Sequence, residues 1–374
     1  MPRRAVLGFV VSGLVLTAAV VARQQELAVV IQSGPGDLYT GDEIPITFVI
    51  SNTGTGVHTY TDRSYDRSGR MGEYRLEASD ERGVPLPDPR TTSPVPQGYI
   101  GGGLGTPSEL KPGQTFSKTI PLNLWALITA PGVYTVRGSY VLETGVTITS
   151  APLSIRIRPR SLEEMGRYIE ELTAQFPRTV GDDARAQLVR RLMFTGDRRA
   201  AAPLLAFSAH GNNTAFWIGE AFAYYLPRDG ALLDDAVAAM RGAGLSPAGT
   251  RILEQLEAPR DTIKELIGQS LRDEKDAARN EAALAAQRYP DDRFMPALIA
   301  LALNGSGEAR LRAIYAVAAN RTDAGVDALR TLRRDADPEI RTTTERAIDL
   351  AYAMAGRGPG RPLRADDFAD RAKK

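Results

Sequence analysis

The chain of 374 residues contains no cysteine. That absence excludes disulfides, thiolate metal ligands, a cysteine nucleophile and a lipid-modified N-terminal cysteine. Histidine is nearly missing as well. His58 and His210 lie far apart with no partner at ligand spacing, so a histidine-rich zinc site is not expected, nor is any cofactor. Lysine occurs only at Lys111, Lys118, Lys264, Lys275, Lys373 and Lys374 among 46 basic residues; the others are arginine, which pairs bidentately with carboxylates more readily. An excess of one charge sign is also absent, since 45 acidic residues leave a formal net charge of +1. So small a net charge supplies little long-range field, and nucleic acid is not an expected partner.

What is present is an ordinary folding composition, 43% apolar and 24% charged, in a chain long enough for two or three domains. The first segment has the pattern of an export signal. Pro2, Arg3 and Arg4 precede an apolar run over residues 5–22 broken only by Gly8, Ser12, Gly13 and Thr17, and a cut after Ala22 would place Val20 and Ala22 at the small-residue positions. At 18 residues the run also suits an uncleaved membrane anchor. Residues 1–22 are therefore read as signal peptide or anchor, and the remainder as periplasmic or secreted, or membrane-anchored and facing the periplasm.

From residue 26 to 158 the dominant period is two. Ile44, Ile46, Phe48 and Ile50 alternate with Pro45, Thr47 and Val49; Tyr74, Leu76 and Ala78 with Arg75 and Glu77; Ile155 and Ile157 with Ser154, Arg156 and Arg158. Turn residues at Pro112-Gly113 and Pro131-Gly132 separate such runs, and six or seven half-buried strands fit two packed sheets. The stretches Leu110-Lys111-Pro112-Gly113-Gln114, Asn123-Leu124-Trp125 and Ala130-Pro131-Gly132-Val133-Tyr134-Thr135-Val136 resemble bacterial immunoglobulin-like domains. That resemblance implies an all-β immunoglobulin-like sandwich in which Tyr134 bonds back to the backbone as a tyrosine corner.

Pro159 disfavours helix at Arg158, and Ser161 with Glu164 forms a capping-box pattern, so a linker helix is predicted in residues 161–181. Beyond it, helical periodicity runs through residues 182–358, and a flexible tail is expected over 359–374. Arg279, Arg310 and Arg341 are 31 residues apart, twice over. Counting from Arg185, Arg279 and Arg310, the residue 19 further on is Leu204, Leu298 or Leu329, and the one 22 further on is Phe207, Leu301 or Leu332. Such a period implies stacked helical units. The junction Asp335-Ala336-Asp337-Pro338-Glu339-Ile340-Arg341 resembles that of HEAT-type (HEAT/PBS-lyase-like) repeats, implying an all-α HEAT-like solenoid. Asp337 would cap the next helix, Pro338 would occupy its first turn, and Arg341 could pair with an aspartate of an adjacent turn. The junctions before Arg279 and Arg310 lack the Asp-Pro step.

No motif names a reaction. The glycine-rich stretch 99–105 lacks the lysine and hydroxyl residue of a phosphate loop and reads as an inter-strand loop. Asp182-Asp183, Asp234-Asp235 and Asp291-Asp292 read as helix-start capping positions in preference to metal or acid-base pairs. Two groups are candidates for contact with a partner. Trp217, Glu220 and Tyr224 fall on one face of the most aromatic helical stretch, where core packing is the competing reading. His58, Tyr60, Arg63 and Tyr65 lie in a polar stretch, 52–72, that reads as a long exposed loop. The chain is thus expected to be an exported, non-enzymatic interaction scaffold with a protein or peptide partner, or a glycan. The membrane would be met only through the N-terminal segment. The alternative is a polymer-recognising hydrolase or accessory subunit with carboxylates near the domain junction.

Overall fold

The computed structural model describes residues 27–63, 69–92, 105–142 and 144–353. The segment 1–22, Tyr65, all but the last residue of the glycine-rich stretch and the tail 359–374 lie outside the described residues. The chain divides into two compact units, with the boundary between Glu170 and Glu171 and Phe194–Gly196 grouped with the first. A β region comes first and a helical region second.

The first unit carries β1 (Leu27–Ser33), β2 (Leu38–Tyr39), β3 (Pro45–Asn52), β4 (His58–Arg63), β5 (Tyr74–Ser79), β6 (Gly105–Leu110), β7 (Thr115–Pro121), β8 (Gly132–Val141), β9 (Thr147–Thr149) and β10 (Leu153–Arg158). They form sheets ordered β1-β3-β7, β2-β10-β8-β5 with β9 on β8, and β4-β6. Alternation decides which side chains turn inward: Leu27, Val29 and Ile31 of β1 and Ile46, Phe48 and Ile50 of β3 are buried, as are Val136 and Tyr140 of β8. These side chains join one hydrophobic cluster. Gly138 permits close approach there, because a Cβ would lie 2.5 Å from Ile31 Cγ2 and 2.8 Å from the Phe48 ring. Two buried asparagines are paired: Asn123 Oδ1 accepts from Ile44 N at 2.7 Å, and Asn52 Nδ2 donates to the Gly56 and Leu110 carbonyls. Tyr134 Oη donates to the Ala130 carbonyl at 2.7 Å, the corner bond its sequence context implies.

Twelve α-helices occur among the described residues: α1 (Leu162–Gln175), α2 (Asp182–Phe194), α3 (Ala201–Phe207), α4 (Asn212–Glu220), α5 (Gly230–Ala243), α6 (Gly249–Gln255), α7 (Arg260–Ser270), α8 (Asp276–Arg288), α9 (Met295–Asn304), α10 (Gly307–Asn320), α11 (Asp323–Leu332) and α12 (Pro338–Ala353). The unit boundary falls inside α1. The capping box that starts α1 is formed, with Ser161 N donating to Glu164 and Glu164 N to Ser161 Oγ. In the second unit α8 touches α10, α10 touches α12, and α9 touches α11. Leu204, Leu298, Leu329 and their companions Phe207, Leu301 and Leu332 are all buried.

Arg185, Arg310 and Arg341 serve the turns between helices, whereas Arg279 pairs with Asp276 inside its own helix. Arg310 Nε donates to the Ala302 carbonyl at 2.9 Å, Arg185 Nε to Thr179 at the same distance, and Arg341 Nη1 to Asp335 and Ala336 carbonyls at 2.6 and 2.9 Å. Arg341 thus bonds main chain, while Arg310 makes the aspartate pair, with Asp335 at 2.6 Å. Asp337 does cap α12, accepting from Glu339 N at 2.8 Å. No helix among the described residues is long and apolar enough to cross a membrane.

Candidate functional site

In the second unit a groove of about 570 Å³ runs between α3 and α5 and reaches the turn 244–247 and the start of α8. It exists because these helices place long side chains inward and short ones outward. Leu204 and Phe207 of α3 and Leu232, Val237 and Met240 of α5 fill the core, whereas Ala202, Ala206 and Ala238 face solvent and leave the intervening space empty. The lining carries one carboxylate and one ammonium. Asp235 is bridged by Arg198 at 2.7 Å, and Lys275 Nζ lies 3.5 Å from the Ala243 carbonyl. The sequence signal for this groove is alanine at outward helical positions, which reads as neutral helix-forming residues until the neighbouring helix is placed.

The aromatic stretch does not continue as a plain α-helix. After α4 the backbone widens to a π-helical turn at Ala221–Tyr225, so the face on which Trp217, Glu220 and Tyr224 would align is broken between its second and third members. Glu220 is 3% exposed and Tyr224 7%, and this burial removes both from direct contact with a partner. Trp217 is half-buried, with the Arg190 guanidinium 5.6 Å from its ring. Glu220 forms an ion pair with Arg251, whose guanidinium also lies 5.3 Å from the Phe216 ring. Gly219 makes room for that arginine, since a Cβ would sit 2.8 Å from its Cδ.

In the first unit, His58, Tyr60 and Arg63 are on strand β4, paired antiparallel with β6, where a loop was expected. A strand of His, Thr, Tyr, Thr, Asp and Arg has no apolar alternation to betray it; backbone pairing and one aromatic contact hold it instead. Tyr60 stacks on Phe116 with ring centroids 4.2 Å apart, and Arg63 meets Glu73 at 3.1 Å. Nearby, Arg70 grips Asp88 through two bonds of 2.8 and 2.5 Å, donates to the Leu124 carbonyl and lies 4.6 Å from the Trp125 ring. Burial pushes the Asp88 carboxyl up, but the Arg70 bond and charge hold it below the ordinary range. These are structural contacts, so the six described candidates form two groups in two units.

The acidic pairs have different fates. Asp182 opens α2, yet its carboxylate accepts from Asn213 N, Thr214 N and Thr214 Oγ at the start of α4. The Arg293 guanidinium, bonded to both Asp291 carboxylate oxygens, holds that carboxyl far below the ordinary range against the opposing effect of burial, with the Arg293 main-chain amide and Lys264 adding to it. Asp234 and Asp235 lie inside α5, which Asp229 caps; here the capping assignment fails. Among the described residues no group of three or more histidine, aspartate and glutamate side chains could hold a metal ion.

No family model matches the chain, and no curated protein matches it. Among solved structures, the native conformation of E. coli alpha-2-macroglobulin is similar at 13% identity and a TM-score of 0.17, over 87% of this chain and 25% of that one. A family 76 glycoside hydrolase from a bovine Bacteroides thetaiotaomicron strain is similar at 8% identity and a TM-score of 0.15, over 88% and 79% of the two chains. The chain spans about a quarter of the macroglobulin's length. Likeness this slight assigns neither a fold nor an activity to the chain.

Proposed function

We propose that the chain is an exported, non-enzymatic binding scaffold, an immunoglobulin-like β-sandwich followed by a HEAT-like solenoid that engages a protein or peptide partner through its helical surface. The observation that carries this reading is a set of carboxylates that accept from residues 31 further on: Asp182 from the Asn213 main-chain amide, Glu220 from Arg251, and Glu281 from Arg312. Each of these bonds joins a helix to the next but one along the chain, α2 to α4, α4 to α6 and α8 to α10, which is the contact that stacking of successive helix pairs produces. The tight approach at Gly138 and the Tyr134 corner support the sandwich reading of the first unit. The export-type segment 1–22 supports placement in the periplasm or outside the cell, free or anchored.

Binding is favoured over hydrolysis by the groove itself. Hydrolysis of a glycosidic bond needs two carboxylates at a set separation. The groove lining contributes Asp235 alone, already bridged by Arg198. The test is site-specific photocrosslinking in intact cells, with the reactive group placed in turn at Trp217, Ala206 and His58. A discrete adduct from a helical-unit position, in an envelope fraction, is the expected result. Adducts from His58 alone, or recovery of the chain from the cytosol, would contradict the reading.

A further inference from the structure

Strand β1 reads Leu27-Ala28-Val29-Val30-Ile31-Gln32-Ser33, with no charge, no proline and no glycine. The sheet order is β1-β3-β7, so one side of β1 pairs with β3 and the other has no strand beside it among the described residues. An open edge is a template for a further strand, and folded proteins blunt theirs with charge, proline, short length or a covering segment. The other edges of this unit are blunted in those ways. β7 carries Lys118, β4 Arg63 and β6 Pro107, while β2 and β9 are two and three residues long. β5 is covered by a bridge from Ser79 to Pro85 and by the bond from Leu86 N to the Ala78 carbonyl. The register tells which main-chain groups of β1 face the open side. Gly34 N donates to the Pro45 carbonyl, and these two residues follow directly on the pair of Ser33 with Ile46. Main-chain direction alternates along a strand, so Ala28, Val30 and Gln32 also turn their N–H and C=O to β3, and Leu27, Val29, Ile31 and Ser33 turn theirs outward.

We infer that two copies of the chain pair antiparallel through β1, about a two-fold axis at Val30, and join their three-stranded sheets into one. A two-fold axis normal to the sheet is the operation that keeps both inner faces on the same side, and it makes the strands antiparallel. Centred on Val30, the middle residue, it leaves no residue of the strand unpaired. It sets Val29 against Ile31 of the second copy and Leu27 against Ser33, the residues whose main-chain groups face outward, for about eight N–H···O=C bonds. On the exposed face Val30 meets Val30 and Ala28 meets Gln32, so no charge opposes its like. Val30 is 52% exposed, and the pairing covers part of it. The surface beside it stays uncharged through Thr47, Val49 and Ser51 of β3. The outer face of the β10-β8-β5 sheet, by contrast, carries Arg75, Arg137 and Arg156 and would repel its own copy. A strand from an unrelated protein would gain the same main-chain bonds; the second copy is favoured because this sequence complements itself. The pairing uses the open edge of both copies and therefore closes at two. It rests on the strand order of the first unit and stands whether or not the helical unit binds a partner.

The absence of cysteine makes the test direct, because a single introduced thiol has only its counterpart in another copy to react with. Facing residues that share no main-chain bond have Cα atoms about 4.5 Å apart, within the range a disulfide spans. Mild oxidation of the full-length V30C chain is expected to give a disulfide-linked dimer at least about tenfold faster than V57C or V84C, whose parent valines are similarly exposed at 56% and 51%. A28C and Q32C should each crosslink slowly alone and quickly when mixed, since only the mixture sets two thiols opposite each other. In sedimentation velocity the parent chain should show a dimer that grows with concentration. V30K should remove it by facing two ammonium groups across the axis, with an unchanged thermal melt showing that the variant folds. Oxidation of V30C no faster than that of the two controls, A28C dimerising alone as fast as V30C, or V30K sedimenting like the parent would each overturn the inference. A parent chain that stays monomeric at every concentration, the result for an edge that serves another protein's strand, would overturn it too.

Discussion

Arg251 carries its charge to a carboxylate that water barely reaches. Glu220 is 3% exposed, and the pair is completed by the Phe216 ring and by the missing side chain at Gly219. Removing one member of such a pair leaves an uncompensated buried charge, which typically costs more than the pair contributes. Because Arg251 is itself 25% exposed, some water can follow, and R251L is expected to destabilise the chain by about 2 kcal/mol in urea unfolding. The double variant E220Q/R251L should recover part of that loss. A second residue gives a pH signature. Tyr289 is pushed up to about 12, first by burial and then by the bond its hydroxyl donates to Glu254 at 2.6 Å. An unfolded tyrosine titrates near 10, so its stabilising contribution is fully present below about pH 10 and is lost as pH rises toward about 12. Unfolding midpoints at pH 9 and 11 should therefore differ less for Y289F than for the parent chain. Residue types were legible from the sequence here, but partners were not. Nothing local to Glu220 indicates that the cation 31 residues later closes over it.

Individual elements depend on groups supplied by other elements. The start of α4 receives its cap from Asp182, in the first turn of α2, through three donors between 2.7 and 3.1 Å. Burial pushes the Asp182 carboxyl up; the Thr214 hydroxyl and the two amides outweigh it and hold the group below its ordinary value. D182A is expected to cost about 1–2 kcal/mol, and D182N about half as much, because the amide oxygen still accepts. With the folded value depressed, the stabilisation is present above about pH 4 and lost as pH falls further, so acid unfolding of D182A should start from a lower plateau and fall less. Element type was readable where periodicity is strong, as in β3 with its alternating Ile46, Phe48 and Ile50 or α12 behind Asp337-Pro338. It was not readable for β4, whose polar sequence is held by pairing with β6, nor for the π turn after Glu220, which adds a residue to a helical turn without any compositional mark. Asp234-Asp235 resembled a cap and lies inside α5, whose cap is Asp229. Local sequence cannot choose between two aspartates that close together.

At the scale of the molecule, Arg310 and Arg341 of the arginine period bond turn carbonyls while Arg279 stays within α8, and the 31-residue bonds link α4 to α6 and α8 to α10. The groove was illegible because it is made by what alanine leaves out between helices that are not neighbours in the chain. If the second unit is a stack, each helix pair draws stability from its neighbours and end units are less supported than middle ones. Native-state hydrogen exchange of the intact chain measures this directly. A stack should show graded opening energies, with amides of α12 exchanging through small local openings and those of α8 and α10 surviving longest. A single opening free energy shared by the slow amides from α2 to α12 would mean one cooperative globular core, and would contradict the repeat architecture on which the binding account rests.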